Sequence, residues 1–280
     1  MRTILFYLGL LLTIEGFAQD KKAFVFFDKK GKHTSYKKLL KRSQKADVVL
    51  FGEYHNNPIA HWLELELIKD LQPNHPLILG AEMLERDNQE ALDHYLQGAI
   101  DQKGLDSLAR LWKNYKTDYK PLVDFAKKHQ FPFVATNIPR KYANLVYKKG
   151  LQALDTLPST EKQWMVRLPF PYDGTLSQYE KMKKMLGHNT ENFPMAEAIK
   201  DATMAESILA HLKPNTLFVH FNGSYHSDFY QGIWWYLKRD RPNLRILTIS
   251  TTSQAALKKL AKESYNQADF ILVVDEDLSN

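Results

Sequence analysis

Two short segments of the sequence place a histidine three residues after a glycine. They are Gly52-Glu53-Tyr54-His55 and Gly223-Ser224-Tyr225-His226, and each follows a short apolar run. In open α/β sheets, ligands bind beyond the carboxyl ends of the strands, so both turns are candidate site elements. The first turn, with His61 six residues further on, offers a carboxylate and two imidazoles. Such a set can bind a transition metal or act as a general acid–base group, and a purely structural hydrogen-bonding role fits the same spacing.

A second carboxylate, Glu82, follows the next apolar run along the chain. If the two predicted strands are neighbours, Glu82 meets Glu53 at one edge of the sheet. Paired carboxylates favour a cation site or a shifted pKa. A helix N-cap, or an ion pair with Arg86, explains Glu82 equally well.

Two further polar residues follow a third predicted strand, Asn137 and Arg140. The guanidinium of Arg140 is suited to a carboxylate or a phosphate, because its donors pair bidentately with such groups. We expect Glu53, His55, Glu82 and His226 to converge in space, since parallel strands present their carboxyl ends on one side of a sheet.

The elements that must position these residues are predicted from apolar runs that alternate with helical patterns. Near-continuous apolar runs are typical of strands buried on both faces of a parallel sheet. The predicted strands are Val48–Phe51, Leu77–Leu79, Phe133–Ala135, Leu217–Val219, Ile246–Ile249 and Phe270–Val274. The pattern predicts an α/β fold with a mostly parallel central sheet flanked by helices.

The middle of the chain breaks this alternation. From about residue 88 to 212 only one strand candidate occurs, near Asn137, and the rest is predicted to be helix and loop. We expect helical insertions there that cover one edge of the sheet, within a single domain of residues 19–280.

The N-terminus carries the pattern of a secretory signal peptide. Arg2 precedes the uncharged run Ile4–Ile14, which is followed by the small residues Gly16 and Ala18. We therefore predict a signal peptide over residues 1–18 and an exported protein, periplasmic or associated with the outer membrane. The chain has no cysteine, which excludes thiolate metal sites and lipid attachment at a cysteine.

Composition and missing motifs exclude several function classes. The net charge of +6 is modest and spread along the chain, without the Arg-rich, aromatic-interleaved motifs of nucleic-acid binders, so no nucleic-acid partner is expected. The sequence contains no Gly-x-Ser-x-Gly elbow, P-loop, Gly-x-Gly-x-x-Gly or His-Glu-x-x-His motif. The commonest hydrolase, nucleotide-binding and zinc-protease interpretations are thereby removed.

Taken together, the motifs resemble those of the ChaN-like haem-binding family of iron-regulated proteins. That family is part of a wider group with TraB, Tiki and erythromycin-esterase-like proteins. The resemblance runs from about Asp47 to Leu237. Its pieces are the two Gly-x-x-His turns, His61, Ala81-Glu82-Met83, Arg86-Asp87-Asn88-Gln89, Asn137-Ile138-Pro139-Arg140 and Asp201-Ala202-Thr203-Met204-Ala205.

The resemblance implies haem as the cofactor and a link to haem or iron uptake. Haem needs an axial donor and cations for its propionates. The haem-binding candidates are Tyr54, His55, His61, Arg86, Asn137, Arg140, Tyr225 and His226. The expected partners are haem or another small ligand, with a homodimer and outer-membrane uptake components as further candidates.

The alternative function is a metal-dependent hydrolase, which the Tiki-like branch of the wider group implies. Glu53, His55, Glu82 and His226 would then hold a divalent metal ion that activates water. Two departures bear on the choice: family members are often lipoproteins, whereas this chain has no cysteine, and members of the wider group differ in chemistry. A scaffold whose polar strand ends only hydrogen-bond one another is the third interpretation.

Overall fold

The computed structural model describes residues 21–186 and 191–278, which include one mixed sheet. Its strands are β1 (Phe24–Asp28), β2 (His33–Thr34), β3 (Val48–Glu53), β4 (Leu77–Glu85), β5 (Phe133–Asn137), β6 (Leu217–Gly223), β7 (Ile246–Gln254) and β8 (Phe270–Asp275). They lie in the order β2-β1-β8-β7-β3-β6-β4-β5. Neighbours from β8 to β5 run parallel, and β1 pairs antiparallel with both β8 and β2. The predicted α/β fold with a mostly parallel sheet is confirmed.

Helices pack against both faces of this sheet. They are α1 (Tyr36–Ser43), α2 (Pro58–Leu71), α3 (Gln89–Leu96), α4 (Gln102–Leu108), α5 (Lys120–His129), α6 (Arg140–Lys149), α7 (Ser159–Lys162), α8 (Ser177–Leu186), α9 (Phe193–His211) and α10 (Ile233–Asp240). Side chains of β3 alternate between the two layers, as successive residues of a strand must. Phe51 belongs to the core beneath α2 and α5, and Leu50 to the core beneath α9 and α10.

All six predicted strands occur, and two further strands, β1 and β2, were not predicted. β1 pairs with β8, about 246 positions further along the chain, with Phe26 opposite Leu272. This pairing is not visible in a local pattern, although the run Ala23–Phe27 is apolar enough to have predicted a strand.

The expectation that residues 88–212 cover one edge of the sheet is corrected. This segment contains β5, the edge strand itself, and its helices lie on both faces. Leu122 of α5 packs in one core, whereas Met204 and Ile208 of α9 pack in the other. The reason is that β4 and β5 are buried on both faces, which requires a helix on each side.

The strands that carry Glu53 and Glu82 are not neighbours, because β6 lies between β3 and β4. The chain passes from β3 to β4 and β5 on one side, and later to β7 and β8 on the other. β3 therefore lies where the strand order reverses, the place at which open α/β sheets bind ligands.

The predicted signal peptide, residues 1–18, lies outside the described residues. Within the described ranges, no helix combines the length and the apolar character needed to cross a bilayer.

Candidate functional site

The two Gly-x-x-His turns lie side by side, because β3 and β6 are paired with Glu53 opposite Gly223. Their glycines permit this approach. A Cβ at Gly52 would lie 2.9 Å from the Cα of Ser224, and a Cβ at Gly223 would lie 2.8 Å from His55 Nε2. A larger residue at Gly52 would meet the backbone of the facing turn, and one at Gly223 would meet the ring of His55.

Glu53, at the end of β3, is the centre of the first polar cluster and is fully buried. Its Oε1 lies 2.7 Å from His55 Nδ1 and accepts a hydrogen bond from the Tyr119 hydroxyl, also at 2.7 Å. Its Oε2 lies 3.2 Å from Nδ1 of His61. Burial alone would raise the pKa of Glu53, but the hydrogen bonds from His55 and His61 lower it to about 2.

His61 joins Glu53 to a carboxylate that sequence reasoning missed, Glu64 of the same helix. His61 Nδ1 lies 3.1 Å from Glu64 Oε2, and its Nε2 lies 3.2 Å from the backbone oxygen of His55. Burial would lower the pKa of His61, whereas its two carboxylate partners raise it to about 11. Burial, and then the neighbouring charge of Glu53, raise the pKa of Glu64.

Glu82 and His226 form the second polar cluster with Asp201 of α9. His226 Nε2 lies 3.1 Å from Glu82 Oε1, and His226 Nδ1 lies 2.6 Å from Asp201 Oδ1. The Tyr179 hydroxyl donates to Asp201 Oδ2 at 2.8 Å. Burial would lower the pKa of His226, but the charges of Glu82 and Asp201 raise it well above its usual value. The imidazole is thus held between two carboxylates, as an imidazolium.

Gly223 connects the two clusters. Its backbone N–H donates to Glu82 Oε2 at 2.7 Å, and the position of a Cβ on it would lie 3.4 Å from the same oxygen and 2.8 Å from His55 Nε2. The structure therefore brings Glu53, His55, Glu82 and His226 to one region of the carboxyl edge. They meet as two hydrogen-bonded pairs, Glu53–His55 and Glu82–His226, rather than as four ligands around one point.

Arg86 lies apart from this region. Its guanidinium donates to Ser207 Oγ at 2.8 Å, to the backbone oxygen of Thr203 at 2.7 Å and to Glu206 Oε1 at 3.0 Å. The alternative ion pair between Arg86 and Glu82 is not formed, because Arg86 is directed to α9. A propionate at Arg86 would have to displace these partners.

Asn137 and Arg140 follow β5, as the sequence predicts. Asn137 is buried, and its side-chain N–H donates to the backbone oxygen of Glu82 at 3.0 Å. Asn137 therefore holds the end of β5 against the irregular part of β4. Arg140 is exposed at the first residue of α6.

The candidate donors for haem differ sharply in exposure. The side chain of His55 is 39% exposed and packs edge-on against Trp112, with ring centroids 4.9 Å apart. Tyr225 is 42% exposed, and Tyr54 is partly buried. His61 and His226 are buried, at 7% and 6% exposed.

Several residues of the two clusters were not among the predicted site residues. The missed residues are Glu64, Tyr119, Tyr179 and Asp201, with Asp118 at 3.7 Å from His61 Nε2 and Glu197 at 3.6 Å from His226 Nε2. The spacing of His61 and Glu64, and of Glu197 and Asp201, places each pair on one helix face, which a helical pattern can indicate. The tyrosines come from distant elements and carry no such pattern.

His220 is a buried histidine inside β6 that belongs to neither cluster. Its Nε2 lies 2.8 Å from Thr136 Oγ1 and its Nδ1 lies 3.1 Å from Asn222 Oδ1. Burial lowers the pKa of His220 to about 4, so the ring is neutral and supports the sheet interior.

Comparison with known proteins places this geometry in a family. A family model described as haem-binding uptake, Tiki superfamily, ChaN, matches residues 39–237. Among solved structures, the fold is similar to ChaN of Campylobacter jejuni, whose structure is described as cofacial haem binding. That match has a TM-score of 0.67 and 19% identity, and covers 91% of this chain and 98% of that one.

Two more distant structures share the fold. A succinoglycan biosynthesis protein matches with a TM-score of 0.53 and 12% identity, over 85% of this chain and 90% of that one. A Bacillus cereus protein matches with a TM-score of 0.52 and 10% identity, over the same shares of the two chains. No match was found among curated proteins. Because the family model spans well over half of the sequence, the chain belongs to the haem-binding uptake family of the Tiki superfamily, ChaN.

Proposed function

We propose that this protein binds haem at the carboxyl edge of β3 and β6, as part of haem or iron uptake outside the cytoplasm. The observation that carries the proposal is the half-exposed imidazole of His55, held by Glu53 beside Trp112, next to the turn that bears Tyr225. A haem site requires a donor for iron, aromatic or apolar surface and a cation, and these side chains supply the first two.

The axial donor is assigned by exposure and by the occupancy of each ring nitrogen. His226 is buried with both nitrogens against carboxylates, so it supports the site rather than facing an iron atom. His61 is similarly enclosed. His55 and Tyr225 are the more exposed donors, Tyr54 is partly buried, and the chain has no thiolate to compete.

Arg140 is the better of the two predicted cations for a propionate. Its side chain is exposed at the carboxyl end of β5, whereas the donors of Arg86 are occupied by α9. Hydrogen bonds to charged groups contribute about 1.5–3 kcal/mol when well formed, and less at an exposed site such as this one.

The proposal includes an exported homodimer. The signal-like N-terminus supports export to the periplasm or to the outer membrane, where uptake components would be its partners. The similar ChaN structure is described as cofacial in its haem binding. Haem groups held face to face on an open surface are most readily enclosed by a second copy of the chain.

The metal-dependent hydrolase remains the second candidate, favoured by the arrangement Asp201–His226–Glu82. An imidazole between two carboxylates is a means of holding or moving a proton beside a reacting group. Against this candidate, each ring nitrogen of His226 faces a different carboxylate, so its ligand atoms do not face one shared point.

Titration with haem, followed by absorbance, tests the proposal. We expect the purified protein to shift the haem absorption band, His55→Ala or Tyr225→Phe to alter that spectrum, and His226→Ala to weaken binding indirectly. His94→Ala, an exposed histidine of α3, is the matched control and should bind like the wild type. If the wild type does not shift the haem absorption band, while a divalent metal supports hydrolysis, the proposal of haem binding is overturned in favour of the hydrolase.

A further inference from the structure

A buried group of three side chains lies beneath the Glu53–His55 pair. Glu53, His61 and Glu64 each offer a ligand atom, and these atoms all lie within 4.8 Å of one another. The three residues are 1%, 7% and 0% exposed. Two carboxylates and one imidazole therefore share a small interior space, in which each charge needs a close partner.

One oxygen atom in this space, Glu64 Oε1, lacks a hydrogen-bond partner among the described residues. His61 Nδ1 lies 3.2 Å from Glu53 Oε2 and 3.1 Å from Glu64 Oε2, so one nitrogen serves both carboxylates. Buried polar atoms in folded proteins are nearly always paired, which makes Glu64 Oε1 an indication of a missing partner.

The ring of His61 is oriented in the manner of a metal ligand. Its Nε2 lies 3.2 Å from the backbone oxygen of His55, which can only accept, so Nε2 carries the proton. With Nδ1 also protonated, the charged ring places an N–H between the two carboxylates. A divalent cation would take the place of that proton between the three atoms, and a carbonyl that holds the far nitrogen is the usual outer partner of a ligating histidine.

The surrounding hydrogen bonds leave the inward-facing oxygens available. Glu53 Oε1 is engaged by His55 and Tyr119, which directs Oε2 toward the group. The side-chain amide of Asn114 donates to the same His55 oxygen at 2.8 Å and to Asp118 at 2.7 Å. These hydrogen bonds thus fix the carboxylate of Glu53 and the imidazole of His61 in place.

We propose that Glu53, His61 and Glu64 bind a divalent first-row transition-metal ion of the Zn²⁺ or Mn²⁺ type. Imidazole and carboxylate ligands suit these ions, whereas Ca²⁺ prefers oxygen ligands alone. Two ligands at the usual metal–ligand distances lie at most about 4.4 Å apart, and His61 Nδ1 lies 3.2 and 3.1 Å from Glu53 Oε2 and Glu64 Oε2, within that limit. This site differs from the metal set expected from the sequence, of which it keeps only Glu53. It does not depend on haem.

Metal binding by the untagged protein, stripped with a chelator and free of haem, tests the proposal. Calorimetric titration with Zn²⁺ and with Mn²⁺ should show one ion per chain for at least one of them, with a rise in the melting temperature that Ca²⁺ does not produce. Glu64→Gln keeps the shape of the side chain but removes a ligand charge. Since loss of an outer-shell partner alone costs 10–100-fold, we expect Glu64→Gln to weaken binding by at least about 10-fold.

Glu66→Gln is the matched control, because Glu66 lies on the same helix and pairs with Lys69 near the surface. It should bind the ion like the wild type. Absence of binding by the wild type, or equal binding by Glu64→Gln, would overturn the proposal. So would a gain in stability of Glu64→Gln without any effect of metal, which would mean that the carboxylates share a proton.

A second measurement keeps the proposal testable if Glu64→Gln does not fold. Co²⁺ added to the wild type should give visible absorption bands typical of low-coordinate nitrogen and oxygen ligation, and Zn²⁺ should abolish them. A Co²⁺ spectrum equal to that of the ion in buffer would count against the site.

Discussion

At the scale of single residues, burial and partners give three histidines of the site three different properties. His55 is partly exposed, His61 is enclosed by carboxylates, and His226 is buried between Glu82 and Asp201. An imidazole that meets solvent can face a ligand, whereas one with two carboxylate partners is held charged and fixed. Under the proposed haem function, exposure therefore assigns ligand contact to His55 and a positioning role to His61 and His226.

The charge of His226 makes stability depend on pH. Its pKa in the fold is raised well above 6.5 by Glu82 and Asp201, so its contribution is complete below about pH 6.5 and is lost as pH rises through the folded value. We expect the free energy of unfolding, from urea titrations between about pH 6.5 and pH 9, to fall with rising pH.

His61 also has a raised pKa and contributes to the same pH dependence. The variant His226→Gln separates the contribution of His226 from that of His61. It should be less stable than the wild type at the lower pH, by about 3–5 kcal/mol, since two buried carboxylates lose their cation. Its stability should also change less with pH than that of the wild type. Identical pH slopes for the two proteins would show that His226 is not charged in the fold.

At the scale of elements, the approach of the two turns depends on what each glycine faces. A Cβ at Gly52 meets backbone atoms, the Cα of Ser224 and the oxygen of Ile249, at 2.9 and 3.0 Å. A Cβ at Gly223 instead meets the ring of His55, a side chain that can turn outward. The same substitution should therefore have different consequences in β3 and β6.

We expect Gly52→Ala to lower the free energy of unfolding by about 1–3 kcal/mol, because packed backbone cannot yield easily. Gly223→Ala should cost less stability but displace His55 from Glu53, and so change the haem spectrum. Urea unfolding and haem titration of both variants measure the two effects. A Gly223→Ala protein with wild-type haem binding would argue that His55 is not part of the haem site.

Arg86 connects the segment after β4 to helix α9. It donates to Ser207, Thr203 and Glu206, and its side chain is only 15% exposed. We expect Arg86→Leu to destabilise the protein by about 3 kcal/mol, since hydrogen bonds to a charged group contribute about 1.5–3 kcal/mol each without being additive.

Arg140→Ala is the contrasting variant for Arg86, because Arg140 is exposed. It should change stability by no more than about 0.5 kcal/mol while weakening haem binding. Thermal unfolding and haem titration of both variants distinguish the two roles. Strong loss of haem binding by a folded Arg86→Leu protein would show that Arg86 does contribute to the haem site.

At the scale of the whole molecule, the candidate site lies where the order of the strands in the sheet reverses. β6 lies between β3 and β4, so both Gly-x-x-His turns open on the same edge. Tyr225, 42% exposed, lies there, and Tyr54 and Trp112 are partly buried. A haem bound on such an edge keeps one face uncovered, and burying that face favours association of two chains.

We therefore expect haem to increase the oligomeric state. Light scattering after size-exclusion chromatography should give a mass near that of one chain without haem and near twice that mass with haem. Tyr225→Ala should reduce haem-dependent association. A haem complex that keeps the mass of one chain would contradict the homodimer but not haem binding itself.

The local sequence pattern determined the strands and the polar residues at their ends. Six apolar runs became six strands, and Glu53, His55, Glu82 and His226 lie at one edge, because a strand's burial and its final residues are local properties. This is why the fold class and the region of the site could be predicted.

Tertiary structure alone decided which of these residues touch. Strand order depends on pairings between distant segments and on the packing of helices against both faces, and neither leaves a periodic pattern in the sequence. β6 therefore separates Glu53 from Glu82, α9 brings Asp201 to His226, and α2 brings Glu64 to His61. The same packing directs the guanidinium of Arg86 to α9, where its donors are enclosed. It leaves the side chain of His55 partly exposed to solvent.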